Sequence, residues 1–309
     1  MIKILQLPTT WGEQAQHWLW TAEMINRHCD KNKFIMRVMT DLDEAEKVYS
    51  DYDLIVPWYI TRIPPAVPRD KYVIVSHSRF ETGCLSWPES AGRGVVSQYL
   101  YDYIHKQEQG KNKIHVVNYG IDTEFWKPLQ KPKSDKVRVG WVGEPSVKEL
   151  DIAREAVDQT DFEFIPLDLS NRANFRSLYG MPNYYNEIDV LLVSSLEEGF
   201  HRPSLEAASS GLAVIATDVG INRELLGDEA VVSVEGYEFH QLHNDPSPVP
   251  EIKRTVARNL AKKLNALTPS KIKTMGARNR QEVCTNWTWE KKIGAWEKMF
   301  EEAYEATGS

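Results

Sequence analysis

The chain has 309 residues, 42% of them hydrophobic and 26% charged, with a formal net charge of −7 at pH 7. This composition is that of an ordinary globular protein and excludes a fibrous or disordered chain. The acidic balance disfavours a dominant contact with a nucleic-acid backbone, because proteins that bind the phosphates usually have a basic surface. The length exceeds what one hydrophobic core usually fills, so we expect two domains with a cleft between them.

No run of the sequence approaches the roughly 18 apolar residues that a membrane span requires. The first residues, Met1–Leu5, lead directly into a strand-like run and lack the architecture of a signal peptide. We therefore expect a cytoplasmic protein without integral membrane association. The three cysteines are far apart and have no CxxC or Cys/His spacing, which indicates neither a disulfide framework nor a zinc site.

The first half alternates short apolar runs with segments of helical period, a pattern typical of βαβ units and parallel sheets. The predicted strands are Ile2–Leu7, Phe34–Met39, Leu54–Val56, Tyr72–Ser76, Val95–Ser97 and Ile114–Val117. Between the first two strands, one apolar stripe predicts a helix that packs on the sheet. Its members are Ala15, Trp18, Leu19, Ala22 and Ile25.

A polar stretch, Lys127–Asp135, is interpreted as the linker to a second series of strands. These strands are Lys136–Val142, Phe162–Leu167, Val190–Ser194, Leu212–Ala216 and Ala230–Val232. A last helix is predicted to begin after Thr288, its N-cap. Its apolar stripe consists of Ile293, Trp296, Phe300 and Ala303 and needs another part of the protein to pack against. The predicted class is α/β, with two Rossmann-like, doubly wound domains.

The most informative segment runs from Asp189 to Gly211. A buried strand is predicted to end at Ser194, a glycine-containing turn follows, and Pro203 stands where prolines are favoured in a first helical turn. A helix is therefore predicted to begin near Arg202. The turn and this helix N-terminus lie at the carboxyl edge of the sheet, where open α/β sheets bind ligands and N–H groups suit a phosphate.

Glu198 and Glu206, with seven residues between them, resemble the signature of family 4 retaining glycosyltransferases, EGFGLPxLEAxAxG. The resemblance implies that Glu198 contacts hydroxyls of the donor sugar and that Glu206 binds the nucleotide ribose. It also implies that the intervening turn, here Gly199, Phe200 and His201, contacts the donor diphosphate. Taken singly, Glu206 is also explained as a complement to the helix dipole, and Glu198 as a solvated loop residue.

Further segments extend the resemblance over roughly residues 114 to 230: Val117–Pro128, Val139–Gly143 and Leu212–Glu224. The resemblance implies the GT-B fold, in which two Rossmann-like domains face each other across a cleft. The acceptor domain is then 1–130 and the nucleotide-sugar donor domain 131–287. The last helix, 288–306, is expected to cross back and pack on the first domain.

The sequence departs from the family pattern at the expected diphosphate clamp. The family usually has an arginine directly after the glycine equivalent to Gly143, and a lysine about five residues further on. Here Glu144 takes the arginine position, and Lys148 comes one residue early. Because a guanidinium binds phosphate bidentately, we expect Arg202 to replace the missing cation, with a solvent-facing loop arginine as the alternative.

In the first domain, His77 follows a predicted strand at a point where the family often carries a histidine facing the sugar and acceptor, with a purely structural histidine as the alternative. Thr10 and Gly12 lie in the turn that corresponds, loosely, to the family's glycine-rich acceptor loop. Two DxD-like triplets, Asp41–Asp43 and Asp51–Asp53, are interpreted as solvated helix or turn residues. No metal site is therefore expected.

The resemblance implies a hexosyl- or pentosyltransferase that retains the anomeric configuration and needs neither cofactor nor metal. Its donor is a nucleoside diphosphate sugar, with UDP favoured as the nucleotide. The acceptor stays open between a small molecule, a protein and a modified nucleic-acid base. Two alternatives remain: a non-catalytic GT-B protein that binds a sugar nucleotide, and a GT-B epimerase or phosphorylase.

Overall fold

The computed structural model describes residues 1–8, 15–58, 67–78, 89–108, 113–130, 134–171, 176–237 and 247–308. The chain forms two compact units, Met1–Gly120 with Trp287–Ser309, and Ile121–Asn286. The passage into the second unit therefore comes earlier than the predicted boundary at residue 130. The reason is that the Trp126 carbonyl oxygen accepts hydrogen bonds from Ser209 Oγ at 2.7 Å and Arg280 Nη1 at 3.0 Å, both in the second unit.

The strands that the structure describes are β1 Ile2–Leu7, β2 Phe34–Val38, β3 Leu54–Pro57, β4 Val73–Ser76, β5 Gly92–Val95, β6 His115–Val116, β7 Arg138–Gly143, β8 Glu163–Asp168, β9 Val190–Val193, β10 Ala213–Thr217 and β11 Val231–Val232. The α-helices are α1 Ala15–His28, α2 Leu42–Val48, α3 Gln98–Glu108, α4 Leu150–Val157, α5 Met181–Glu187, α6 Arg202–Ser209, α7 Asn222–Leu226, α8 Val249–Asn265, α9 Pro269–Asn286 and α10 Trp289–Ala306. Within the described ranges, no helix has the length and apolar character needed to cross a membrane.

The first unit is built on parallel strands in the orders β2-β1-β3 and β4-β5-β6. A parallel bridge between Ile55 and Tyr72 joins the two groups. The register pairs Ile4 with both Met36 and Leu54. In α1 the predicted stripe is buried at Ala22 and Ile25.

The last helix packs back onto the first unit, as predicted. All four residues of its predicted apolar stripe are buried, and α10 contacts β5, α1, β3 and β6. The approach is close at the glycines of β5: a Cβ on Gly92 would lie 2.9 Å from Ala303 Cβ, and one on Gly94 would lie 2.8 Å from Met299 Sδ. These glycines have no apolar side chain, so the prediction placed this strand too late, at Val95–Ser97.

The second unit contains one parallel sheet in the order β11-β10-β9-β7-β8. Apolar residues of β7, β9 and β10 form a core with α4 and α8, centred on Val139, Val190, Ile152 and Leu260. Because β7, β9 and β10 are neighbours and run in the same direction, the loops that follow them meet at one edge. That edge carries the candidate site.

Candidate functional site

The loop after β7 is held against the end of β9 by buried polar contacts. Trp141 Nε1 donates to the Lys148 carbonyl oxygen at 3.2 Å and to Ser194 Oγ at 3.0 Å. The same Ser194 hydroxyl lies 2.8 Å from the carbonyl oxygens of both Lys148 and Glu149. A Cβ at Gly143 would collide with the Lys148 side chain, so this glycine lets the lysine fold back over the strand end. The contacts fix the backbone from which Lys148 projects.

Lys148 and Glu198 form an ion pair across two loops, with 2.5 Å between Nζ and Oε1. The Glu198 residue is only 9% exposed. Burial alone raises the pKa of its carboxyl group, but the charge and hydrogen bond of Lys148, together with His201, outweigh this effect and lower the pKa below its ordinary value. Glu198 is therefore a buried carboxylate that stays ionised at neutral pH.

His201 caps helix α6 and also faces Glu198. Its backbone is in the left-handed region with φ of 66°, which is uncommon outside glycine. Burial lowers the pKa of His201 to about 4, so the ring is neutral at pH 7. Because Nδ1 accepts from the Ser204 N–H at 3.3 Å, the proton of the neutral ring lies on Nε2, which is 3.9 Å from Glu198 Oε1. The ring presents a donor to the carboxylate side of the site.

The loop after β10 supports the turn that carries Glu198. Thr217 Oγ1 donates to the Ser195 carbonyl oxygen at 2.6 Å, and the Ile221 N–H donates to the Phe200 carbonyl oxygen at 3.1 Å. Gly220 has φ of 57°, and a Cβ there would lie 2.8 Å from the Phe200 carbonyl oxygen. A larger residue at 220 would therefore push against the backbone of the turn.

Glu206 lies on the buried face of α6 and is 7% exposed. Tyr185 of α5 donates its hydroxyl to Glu206 Oε2 at 2.8 Å. Burial raises the pKa of Glu206 to about 7, although the Tyr185 hydrogen bond and the charge of Arg202 act in the opposite direction. This carboxyl group therefore gains and loses its proton near neutral pH.

The structure brings Glu198, Lys148 and His201 together and places Glu206 on the helix that follows. Gly199 and Phe200 are buried in the turn, and Arg202 is the half-buried first residue of α6. Glu144 is exposed and accepts from Ser146 Oγ at 3.2 Å. The predicted roles of these residues toward a sugar nucleotide stay predictions.

His77 belongs to the first unit and lies in a group of aromatic rings. Its ring centroid is 4.6 Å from that of Trp18 and 5.6 Å from that of Trp58, and its Nδ1 forms a hydrogen bond with the Tyr119 hydroxyl. The side chain is half-buried. The other two first-domain candidates, Thr10 and Gly12, lie outside the described residues.

One aspartate of each DxD-like triplet has an ordinary structural role. Asp41 caps α2, because its Oδ1 accepts from the N–H groups of Asp43 at 3.0 Å and Glu44 at 3.1 Å. Asp53 Oδ2 accepts from the Lys3 N–H at 2.8 Å and so ties the start of β1 to the start of β3.

Sequence reasoning missed two features of the site. It assigned separate roles to Lys148 and Glu198 and did not foresee that they pair. It also passed over Tyr185, because a tyrosine on a short helix gives no local sign that it reaches a carboxylate elsewhere in the chain. The contact joins α5, which precedes β9, to α6, which follows β9, and so depends on tertiary structure.

Residues 123–242 match the family described as Glycosyl transferases group 1. No curated protein matches the sequence. Among solved structures, a glycosyltransferase from Rickettsia africae ESF-5 is similar at 14% identity with a TM-score of 0.67, over 98% of both chains. Sucrose-phosphate synthase from Thermosynechococcus elongatus is similar at 14% identity and a TM-score of 0.65, over 99% of this chain and 100% of that one.

Alr3699/HepE from Anabaena, solved in complex with UDP and glucose, is similar at 14% identity with a TM-score of 0.65. That match covers 97% of this chain and 100% of the other. These likenesses confirm the predicted α/β architecture over almost the whole length of the chain.

Proposed function

We propose that this chain, which has a GT-B fold and a glycosyl transferases group 1 segment at residues 123–242, is a retaining glycosyltransferase that uses a nucleoside diphosphate sugar. The observation that carries the proposal is the cluster at the carboxyl edge of the second sheet, where a buried, ionised Glu198 meets Lys148 and His201 directly before α6. Such a cluster combines an acceptor for sugar hydroxyls with positive charge for a phosphate.

In this proposal each carboxylate has its own part of the donor. Glu198 accepts hydrogen bonds from hydroxyls of the sugar, and Glu206 accepts from the ribose. The turn Gly199–His201 contacts the diphosphate, and Lys148 and Arg202 supply the positive charge. The relative Alr3699/HepE, whose structure holds UDP and glucose, makes UDP the first nucleotide to test.

The chemistry is the transfer of a hexose or pentose to an acceptor hydroxyl. As the bond between the anomeric carbon and the diphosphate oxygen breaks, negative charge grows on the leaving diphosphate, where preorganised cations stabilise it. An oxygen of that diphosphate takes the proton of the acceptor hydroxyl on the same face of the sugar. The new bond therefore forms with retention of configuration and needs no protein nucleophile.

A second candidate is a protein that binds a sugar nucleotide without turning it over. The observation that favours it is the ion pair between Lys148 and Glu198, which engages one of the two expected cations, while Glu144 occupies the family's arginine position. The candidates differ in donor turnover, because a transferase slowly hydrolyses its donor even without an acceptor and a binding protein does not.

The test is a thermal-shift screen with UDP-, GDP-, ADP- and dTDP-glucose, followed by a turnover assay with the best ligand. A ligand at 100 times its dissociation constant stabilises the protein by about 2.7 kcal/mol. We expect one nucleotide to stand out and its sugar to be released over time. Stabilisation without release favours the binding protein, and a screen in which no ligand acts overturns both candidates.

Metal removal gives an independent test of the proposed clamp. Because Lys148 and Arg202 supply the positive charge in this proposal, we expect turnover to be unchanged in excess EDTA. A loss of turnover that Mg²⁺ or Mn²⁺ restores would show that a metal, and not these side chains, neutralises the diphosphate.

A further inference from the structure

The carboxyl group of Glu206 depends on one tyrosine from another helix. Tyr185 and Glu206 are 1% and 7% exposed, and 2.8 Å separates the Tyr185 hydroxyl from Oε2. Among the described residues, no other group donates a hydrogen bond to this carboxyl group. One carboxylate oxygen is therefore held by the protein, and the other retains its capacity to accept from a ligand.

The Tyr185 ring is fixed by its neighbours. The Trp126 ring meets it edge-on with 5.8 Å between centroids, and the Tyr184 ring lies 5.7 Å away at an interplanar angle of 60°. Trp126 is itself held, because its carbonyl oxygen accepts from Ser209 Oγ and Arg280 Nη1. The Tyr185 hydroxyl thus has a defined position, and it fixes the orientation of the carboxyl group in turn.

Among the residues that the structure describes, few charged groups act on Glu206. Arg202, one turn earlier on α6, contributes a positive charge, and Tyr185 contributes its hydroxyl from α5. Tyr185 stays protonated, because burial and the nearby Glu206 carboxylate raise the pKa of its hydroxyl well above the usual value. It is therefore a permanent donor, and a donor to a carboxylate favours the ionised form.

We propose that Tyr185 is a positioning residue of the nucleotide site: it orients the Glu206 carboxyl group, leaves one oxygen for the ribose hydroxyls, and favours the ionised form that accepts from both of them. This inference rests on the proposed function, in which Glu206 binds the ribose. Tyr185 itself does not touch the nucleotide.

A dependence of binding on pH follows. Burial raises the pKa of Glu206 to about 7, and a protonated carboxyl group has less capacity to accept hydrogen bonds. Donor affinity should therefore rise as the pH increases from 6 to 8. Without the Tyr185 hydroxyl, the pKa of Glu206 rises further, and the increase in affinity should shift to higher pH.

The experiment compares Tyr185→Phe with Tyr184→Phe. Tyr184 is an equally buried tyrosine on the same helix, but its hydroxyl lies 2.8 Å from the Trp141 carbonyl oxygen and 2.9 Å from the Ile165 carbonyl oxygen, to which it donates its one proton. The probe is UDP-glucose, or the sugar nucleotide that ranks first in the thermal-shift screen. A sugar nucleotide has no terminal phosphate that titrates near pH 6, unlike a free nucleoside diphosphate. Affinity is measured by calorimetry from pH 6 to 9.

We expect Tyr185→Phe to weaken binding about tenfold at pH 7, since it removes one hydrogen bond to a charged group, and to recover part of this loss at pH 9. Tyr184→Phe should leave both the affinity and its pH profile close to those of the wild type. An unchanged affinity in Tyr185→Phe, or a loss that is equal at every pH, overturns the positioning role.

A third variant separates failure of this inference from failure of the proposed function. Glu206→Gln should weaken sugar-nucleotide binding in a way that no longer depends on pH. If Glu206→Gln loses affinity while Tyr185→Phe does not, the ribose site stands and the role of Tyr185 is wrong. If Glu206→Gln binds like the wild type, the ribose site itself is wrong.

Discussion

Glu198 and Glu206 are two carboxyl groups of nearly equal burial whose pKa values are shifted in opposite directions. Glu198 pairs with the ammonium group of Lys148 at 2.5 Å, and its pKa is lowered. Glu206 pairs with the neutral hydroxyl of Tyr185 at 2.8 Å, and its pKa is raised to about 7. The comparison teaches that burial does not by itself set the charge of a site residue; the charge of its partner does.

The largest expected effect concerns the free energy of unfolding of Glu206→Gln. The folded-state pKa of Glu206, about 7, lies above the ordinary value of 4.5, so the folded protein binds one more proton than the unfolded chain at pH values between the two. Glu206 therefore contributes stability below pH 4.5 that is lost as the pH rises through 7. At pH 8 the loss is about 3 kcal/mol, and the glutamine variant avoids it.

Urea unfolding of the ligand-free protein at pH 5 and pH 8 measures this effect. We expect Glu206→Gln to be more stable than the wild type at pH 8 and similar to it at pH 5. A stability difference that is the same at both values would mean that Glu206 does not titrate as the buried environment requires.

The next largest effect concerns the positive charge near the turn. If Arg202 binds the diphosphate, Arg202→Ala should weaken the binding of a nucleoside diphosphate much more than the binding of the nucleoside. It should also lower turnover on the order of 10²-fold. Arg202→Lys, which has no bidentate fork, should recover only part of this loss. Calorimetry with the two ligands and a turnover assay check this prediction. If Arg202→Ala behaves like the wild type, Arg202 does not bind the diphosphate, and Lys148 and backbone amides must do so without it.

The smallest effect sharpens the contrast between the two glutamates. Glu198→Gln should lower turnover by roughly tenfold to 100-fold, because it removes a charged partner of the sugar hydroxyls. Its affinity for the free nucleoside diphosphate should stay close to that of the wild type. Equal losses for the diphosphate and for the sugar nucleotide would mean that Glu198 acts through Lys148 on the phosphate rather than on the sugar.

The sequence was sufficient for the strand pattern, apart from the position of β5, and for the spacing of the two glutamates, because both are local. Periodicity predicted α10 and its buried stripe, and the glycine turn with Pro203 predicted the start of α6. The sequence did not predict contacts between elements that are far apart in the chain. Lys148 and Glu198 are 50 positions apart, and their pairing requires that β7 lie next to β9 in the sheet. The contact of Tyr185 with Glu206 was missed for the same physical reason.

Helix α10 also bears on the order in which the newly made protein folds. It covers β5 of the first unit, and its Trp296 and Phe300 rings lie near Trp58 and Phe34, yet a ribosome makes it after all of the second unit. Residues 121–286 are therefore complete while the first sheet still lacks its cover. We therefore expect the first unit to finish folding only after α10 has been made, because β5 stays uncovered until then.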